Sequence, residues 1–166
     1  MVARRISKAA VIGMGMMGSQ LAEILALTKI EVAAVDATDE LVQQGLRGID
    51  GRLERFLVSK GKMTSEEKAA SMRRITGFTA IEEAVKGIDY AIEAVPERMS
   101  LKKDVFQKMD KHAPHDAVLA SNTSFQNVSE MASAAAKPER VVGMHFFNPI
   151  NRMRLVEVVR GARTSD

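Results

Sequence analysis

A glycine-rich segment near the N-terminus constrains the fold of this chain more than any other feature. The stretch Val11-Ile-Gly13-Met-Gly15-Met-Met-Gly18 has the spacing G-x-G-x-x-G and lies between an apolar run and a helical pattern. In such a turn the first glycine permits the tight bend, the second lets a phosphate approach the backbone, and the third lets helix and strand pack closely. The pattern therefore predicts a strand, a turn and a helix whose N-terminus binds a dinucleotide pyrophosphate.

An acidic residue at the end of the next apolar run, 30–36, strengthens this interpretation. Asp36 follows Gly18 by 18 residues. A carboxylate there accepts hydrogen bonds from both ribose hydroxyls and repels a 2′-phosphate, so the sequence favours NAD over NADP. The alternative is a glycine-rich turn followed by a surface aspartate. Met16 and Met17 belong to the same turn, and we expect them to line the cofactor site beside the glycines.

Short apolar runs alternate with helical patterns along most of the chain. We predict strands at 9–13, 30–36, 90–92, 117–120 and 141–145, a further short apolar run at 155–159, and helices at 16–28, 100–111 and 124–136. Apolar runs that alternate with helices are typical of parallel strands buried on both faces. The sequence therefore predicts an α/β fold of Rossmann type, in which helices cover both faces of a doubly wound, mostly parallel sheet.

Residues 39–75 interrupt the alternation. No convincing strand pattern occurs between 41 and 75, and apolar residues recur at helical spacing at Val42, Leu46, Ile49, Leu53 and Phe56. The stretch Thr64-Ser-Glu-Glu67 resembles a capping box that begins a second helix. We predict an inserted helical hairpin that projects from the sheet. Gly45, Gly48 and Gly51 lie in its first helix, where they mark either a close backbone approach or a weak helix.

Length and composition limit the class of protein. The 166 residues suit one domain, 1–166, with a real core. The chain has no cysteine, no signal-peptide pattern and no run long enough to span a membrane, so the default expectation is a cytoplasmic protein. A net charge of +3 and 4% aromatic residues without a basic stripe argue against a nucleic-acid partner. The polar residues 161–166 resemble the start of a linker.

A histidine and a glutamate are the candidate acid–base pair. His145 ends a predicted strand, at the sheet edge where ligands bind in open α/β folds. Glu157 follows it by 12 residues across a proline-containing bend, so its carboxylate could return to orient the imidazole. The imidazole could then accept a hydroxyl proton as hydride leaves the same carbon. The alternative is a structural histidine near an unrelated glutamate.

Further polar residues follow two other predicted strands. The run Ser121-Asn122-Thr123-Ser124 suits hydrogen bonding to a ligand or capping of the next helix, and the two roles are compatible. Glu97 follows the strand that Pro96 ends and is either a ligand contact or a solvated loop acid. His112 and His115 have no partner at metal-ligand spacing, so we interpret them as surface residues and predict no metal site.

Taken together, these motifs resemble the NAD-binding domain of 3-hydroxyacyl-CoA dehydrogenases over nearly the whole chain. The resemblance rests on the glycine turn, Asp36, Glu-Ala-Val-Pro-Glu, Ser-Asn-Thr-Ser, and His-Phe-Phe-Asn-Pro followed by Leu-Val-Glu. It implies oxidation of an (S)-3-hydroxyacyl-CoA to the 3-ketoacyl-CoA with NAD⁺ as the oxidant, in fatty-acid β-oxidation or a related acyl-CoA pathway.

The resemblance also implies roles for individual residues. His145 would be the catalytic base, Glu157 its partner, and Ser124 a contact of the substrate oxygen region and the nicotinamide side. The implied cofactor contacts, beyond the turn and Asp36, are Glu97, Lys102, Asn122 and Asn148, of which Asn148 would contact the nicotinamide part. Lys60 is the candidate contact for a CoA phosphate, with a solvated surface lysine as the alternative.

The chain departs from the family pattern in three places. Phe125 replaces a serine, and the segment 151–154, which contains Arg152, is closer to the dehydrogenase portion of multifunctional fatty-acid oxidation proteins. The family's C-terminal helical domain, which completes the substrate site and forms most of a homodimer contact, is not within these 166 residues. We therefore expect NAD binding with slow turnover. The alternatives are the dehydrogenase portion of a multifunctional fatty-acid oxidation protein, a dehydrogenase of free β-hydroxy acids, which usually relies on a lysine base, and a non-catalytic NAD-binding or structural relative.

Overall fold

A seven-stranded sheet forms the centre of the computed structural model, which describes residues 5–166. Its strands are β1 (Lys8–Ile12), β2 (Glu31–Val35), β3 (Ile75–Phe78), β4 (Tyr90–Glu93), β5 (Val118–Ser121), β6 (Val141–Phe146) and β7 (Val156–Arg160). Its helices are α1 (Met16–Leu27), α2 (Asp39–Phe56), α3 (Ser65–Met72), α4 (Ile81–Ala84), α5 (Met99–His112) and α6 (Val128–Ala132), with short 3₁₀ helices at Val58–Lys60 and Pro138–Arg140.

The strand order is β3-β2-β1-β4-β5-β6-β7. All neighbouring strands run parallel except β7, which is antiparallel to β6. The chain order reverses between β1 and β4, and in such sheets ligands bind in the crevice outside the carboxyl ends of the strands at that point. The observed architecture confirms the predicted doubly wound, mostly parallel fold.

Alternate residues of the central strands belong to two separate cores. Ala9 and Val11 of β1 pack with α1 and α2, whereas Ala10 and Ile12 pack with α4, α5 and α6. All four are at most 3% exposed. The lack of polar alternation in the sequence of β1 follows directly, because both of its faces are covered.

The hairpin between β2 and β3 contains the two predicted helices. Thr64 and Glu67 form the predicted capping box at the start of α3. The first of these helices, α2, packs on α1 and β3. Gly45 lets α2 approach the glycine turn closely, since a Cβ there would lie 2.8 Å from the Met14 Cβ. A Cβ at Gly51 would meet nothing within 4 Å, so close approach does not explain that glycine.

Three elements differ from the sequence prediction. The edge strand β3 and the short helix α4 were not predicted; Ile75 is the only buried residue of β3, so the strand carries almost no apolar signal. The helix predicted at 124–136 spans only Val128–Ala132. Asn127 caps it by accepting from Glu130 N, while the Ser124 N–H donates instead to Glu97. These competing hydrogen bonds delay the start of the helix.

The other predicted strands and helices begin and end within one residue of the observed ones. Across residues 5–166, no helix has the length and apolar character that crossing a membrane requires.

Candidate active site

The glycine turn joins β1 to α1 at the carboxyl edge of the sheet. Gly13 has a φ of +94°, and a Cβ there would lie 2.9 Å from the Ala94 carbonyl oxygen. At Gly18 a Cβ would overlap the Gly13 carbonyl oxygen, whereas at Gly15 it would meet nothing within 4 Å. The fold therefore requires the first and third glycines. The second leaves open space before the free N–H groups of α1, which fits a pyrophosphate.

Asp36 lies just after β2 and hydrogen-bonds to the glycine turn. Its Oδ2 accepts from the Met14 N–H at 2.7 Å, and its Oδ1 accepts from the Ala37 N–H at 2.7 Å. A carboxylate oxygen has a further lone pair beyond each of these bonds. The fixed carboxylate can therefore still accept hydrogen bonds from ribose hydroxyls.

Two adjoining cavities of about 740 and 540 Å³ cross the carboxyl ends of β1 and β4. They share Gly13, Asp36 and Val95, so together they form one groove at the predicted crevice. The smaller cavity is lined by most of the residues for which the sequence suggested cofactor contacts, namely Gly13, Gly15, Met16, Met17, Asp36, Glu97, Lys102 and Asn122, together with Ser124.

His145 and Glu157 are directly opposite each other on the antiparallel strands β6 and β7. The Nδ1 atom of His145 lies 2.8 Å from the Glu157 Oε2, and its Nε2 lies 3.2 Å from the Ser124 Oγ. Because a carboxylate only accepts, Nδ1 carries the proton, and the lone pair on Nε2 accepts from the Ser124 hydroxyl. The imidazole is thus oriented with a basic nitrogen toward Ser124.

Ser124 connects the groove to this pair. It lines the 540 Å³ cavity and also a third cavity of about 200 Å³, whose walls include Phe125, His145 and Glu157. The third cavity takes its apolar lining from Val128 and Val159. The basic nitrogen of His145 therefore lies at the junction between the groove and a second, smaller space.

A buried ion pair of Lys102 and Glu93 lies behind the groove, and the role of Glu93 was not predicted from the sequence. Lys102 is 1% exposed, and its Nζ donates to both carboxylate oxygens of Glu93 at 2.9 and 3.1 Å. The Ser121 hydroxyl and the Val95 N–H also donate to Glu93. The Lys102 ammonium is thus held at the cavity wall by Glu93. A glutamate in an apolar strand nine residues before a lysine was the available signal.

The loop after β5 links this ion pair to Ser124. The Glu97 Oε2 lies 3.6 Å from the Lys102 Nζ and accepts from the Thr123 Oγ1 at 2.8 Å. The Asn122 Oδ1 accepts from the Phe146 N–H at 3.0 Å. The sequence left two roles open for each residue. Thr123 was a ligand contact or a helix cap, and Glu97 was a ligand contact or a solvated acid. Here they hydrogen-bond to each other and fix the loop that carries Ser124.

Two residues singled out from the sequence, Lys60 and Arg152, lie apart from this groove, and a third, Asn148, lies at its border. Lys60 follows α2, where its Nζ lies 5.6 Å from the centre of the Phe56 ring, and it lines none of the three cavities above. Arg152 is exposed in the turn after Pro149. Asn148 borders the groove through Met16, since its Nδ2 lies 3.3 Å from the Met16 Sδ.

The comparisons with known proteins agree on one family. The family described as 3-hydroxyacyl-CoA dehydrogenase, NAD binding domain, matches residues 8–166. A 3-hydroxybutyryl-CoA dehydrogenase from Clostridioides difficile is 40% identical over 158 residues, which are 95% of this chain and 56% of that protein. The mitochondrial hydroxyacyl-coenzyme A dehydrogenase of Rattus norvegicus is 35% identical over 166 residues, covering 96% of this chain and 52% of that protein.

A solved structure shows the same architecture. The (S)-3-hydroxybutyryl-CoA dehydrogenase from Ralstonia eutropha superposes with a TM-score of 0.92 at 36% identity, over 98% of this chain and 56% of that one. The chain spans about half the length of the curated relatives it matches. With the family match over residues 8–166, the sheet topology and the dinucleotide turn, this chain belongs to the NAD-binding domain family of the 3-hydroxyacyl-CoA dehydrogenases.

Proposed function

We propose that this chain supplies the NAD site and the acid–base pair for oxidation of an (S)-3-hydroxyacyl-CoA to the 3-ketoacyl-CoA. The hydrogen-bonded series Glu157, His145, Ser124 carries the proposal, because it ends at the groove that begins with the glycine turn. Relatives named for 3-hydroxybutyryl-CoA and hydroxyacyl-coenzyme A support the substrate class.

In this reaction the substrate hydroxyl takes the place of the Ser124 hydroxyl as donor to the His145 Nε2. The imidazole accepts the hydroxyl proton while the C–O bond becomes a carbonyl, and the Glu157 carboxylate stabilises the resulting imidazolium. Ser124 remains close enough to hydrogen-bond to the substrate oxygen. When bound, NAD⁺ accepts the hydride that leaves the same carbon.

The remaining site residues hold the cofactor. Asp36 binds the adenosine ribose, and the N–H groups at the start of α1 bind the pyrophosphate. The turn residues Gly13, Gly15, Met16, Met17 and Gly18, together with Glu97, Asn122 and Asn148, shape the groove, and Lys102 contributes to its wall through Glu93. This assignment is supported by the lining of the groove and by the open space at Gly15.

The experiment follows two properties of the purified chain. NADH binding is measured by fluorescence, and reduction of acetoacetyl-CoA by NADH is followed by mass spectrometry of 3-hydroxybutyryl-CoA. We expect NADH binding and slow turnover, well below the roughly 1–10³ s⁻¹ typical of enzymes. The His145→Gln variant should retain NADH binding and lose at least about a hundredfold in turnover. His112→Gln, at the end of α5, is the matched control and should behave as wild type.

Each alternative result has a definite meaning. Turnover that survives His145→Gln unchanged would remove the imidazole from the mechanism. A wild-type chain that binds no NADH would contradict the cofactor assignment. Rates in the ordinary enzyme range would contradict the expected need for further protein to complete the substrate site.

Other parts of the sequence interpretation stay predictions. These are contact of Lys60 with a CoA phosphate, a homodimer formed through a C-terminal helical domain, the single-domain extent 1–166, a cytoplasmic location and the absence of a nucleic-acid partner.

A further inference from the structure

Gln20, in the second turn of α1, makes three hydrogen bonds with one side-chain amide. Its Nε2 donates to the Met16 carbonyl oxygen at 3.0 Å and to the Asn148 Oδ1 at 3.1 Å. Its Oε1 accepts from the Ile150 N–H at 3.1 Å. One side chain thus joins the cofactor-binding helix to the loop between β6 and β7, which follows His145.

Two backbone groups fix the orientation of both amides in this cluster. The Ile150 N–H only donates and the Met16 C=O only accepts, so the Gln20 oxygen must face Ile150 and its nitrogen must face Met16. The second N–H of Gln20 then requires an acceptor from Asn148. Asn148 therefore turns its Oδ1 toward Gln20 and its NH₂ toward Met16.

The consequence is a hydrogen-bond donor beside the groove. The Asn148 Nδ2 has the Met16 thioether at 3.3 Å, and a thioether is a weak acceptor. Met16 lines the 540 Å³ cavity. The donor is therefore held next to the groove with most of its hydrogen-bonding capacity unused.

We propose that Gln20 is a positioning residue that makes Asn148 present its NH₂ group, rather than its carbonyl, to the nicotinamide end of the dinucleotide. This inference rests on the proposed function, because it requires that NAD occupies the groove. It adds to the cofactor site a residue outside the glycine pattern. It also predicts that substitutions at position 20 affect binding of the nicotinamide end only through Asn148.

The test separates the nicotinamide end from the rest of the cofactor. Calorimetric affinities of the purified chain are measured for NADH, whose dihydronicotinamide ring is uncharged, and for ADP-ribose, which lacks that ring. In Gln20→Glu the carboxylate still accepts from the Ile150 N–H but cannot donate to Asn148, so Asn148 must turn its carbonyl outward. We expect the ratio of NADH affinity to ADP-ribose affinity to fall roughly threefold to tenfold, the range for one hydrogen bond. Because NADH and ADP-ribose carry the same charge, the ratio cancels the general repulsion of phosphates by the added carboxylate.

Three further variants make the result decisive. Gln43→Glu on α2 adds the same charge at an exposed position and should leave the ratio unchanged. In an Asn148→Ala background, Gln20→Glu should cause no further change in the ratio. Gln20→Met, which removes the hydrogen bonds without adding charge, provides the measurement if the charged variant does not fold.

An unchanged ratio in Gln20→Glu or Gln20→Met would overturn the inference. So would a change that persists in the Asn148→Ala background, because Gln20 would then act by another route. If the wild-type chain binds neither NADH nor ADP-ribose measurably, the proposed function is overturned instead.

Discussion

The groove and the acid–base pair are built from opposite kinds of structure. The groove begins at β1 and β4, whose central residues are fully buried, and the groups proposed to bind phosphate are backbone N–H groups set by glycine geometry. The acid–base pair lies across the edge strand β7, where the Glu157 side chain is 52% exposed. Substitutions in the groove should therefore alter stability and binding together, whereas substitutions at the edge should alter the chemistry alone.

The largest expected effect is at Gly18, on the groove side. A Cβ at this position would overlap the Gly13 carbonyl oxygen, so helix and turn would have to separate. We expect Gly18→Ala to lower the free energy of unfolding by more than about 4 kcal/mol, as measured by urea unfolding. Gly51→Ala is the control, because nothing lies within 4 Å of its Cβ, and it should stabilise α2 by about 0.5–1 kcal/mol. Equal effects would refute the packing argument.

The buried ion pair gives the next largest effect. Lys102→Met leaves the Glu93 carboxylate, which is 0% exposed, without its counter-ion. We expect a loss of about 3 kcal/mol in the free energy of unfolding, because removing one partner leaves the other charge buried and unpaired. Adding Glu93→Gln in the same chain should recover part of that loss. A double variant no more stable than Lys102→Met would show that the charge is not the cause.

At the edge strand we expect a chemical effect without a structural one. Glu157→Gln leaves a weaker hydrogen bond to the His145 Nδ1 and removes the anion that stabilises the imidazolium. Turnover of acetoacetyl-CoA with NADH should fall roughly tenfold to a hundredfold, the range for a hydrogen bond to a charged group. The free energy of unfolding should change by less than about 0.5 kcal/mol, since the Glu157 side chain that is replaced is 52% exposed. Glu139→Gln serves as the control for an exposed glutamate.

The smallest effect concerns pH and the contact between α1 and α2. Burial raises the pKa of the Glu23 carboxyl above its ordinary 4.5, although the Arg52 guanidinium at 2.6 Å opposes the shift. The folded state therefore binds more protons than the unfolded state above pH 4.5, and this group lowers stability as the pH rises through the folded pKa. Relative to Glu23→Gln, wild type should lose under about 1 kcal/mol between pH 4 and pH 7. A difference that is constant with pH would contradict this sign.

Much of the site was predictable because its signals are local. The glycine spacing and Asp36 are fixed by one strand-turn-helix-strand unit, and the structure places them at a single groove. The sequence also predicted that His145 and Glu157 form a pair. Their spacing could not show, however, that β7 is antiparallel to β6. That orientation is what sets the two residues opposite each other.

The parts that were missed depend on contacts between distant residues. Gln20 meets Ile150 across 130 positions, and Ser121 meets Glu93 across 28, so neither bond leaves a periodic pattern. The strand β3 was missed because its pairing with β2, rather than apolar burial, defines it. Helix α6 was overextended because side-chain acceptors on Thr123 and Glu97 compete for the N–H groups that would begin it.

The hydrogen bond from the Met14 N–H to Asp36 has a consequence for protein engineering. The carboxylate proposed to read the ribose also clamps the glycine turn to the end of β2. Exchanging it for an arginine to accept NADP would release that clamp at the same time, because a guanidinium only donates hydrogen bonds. Redesign of cofactor preference in this domain therefore needs a second substitution that restores an acceptor for Met14.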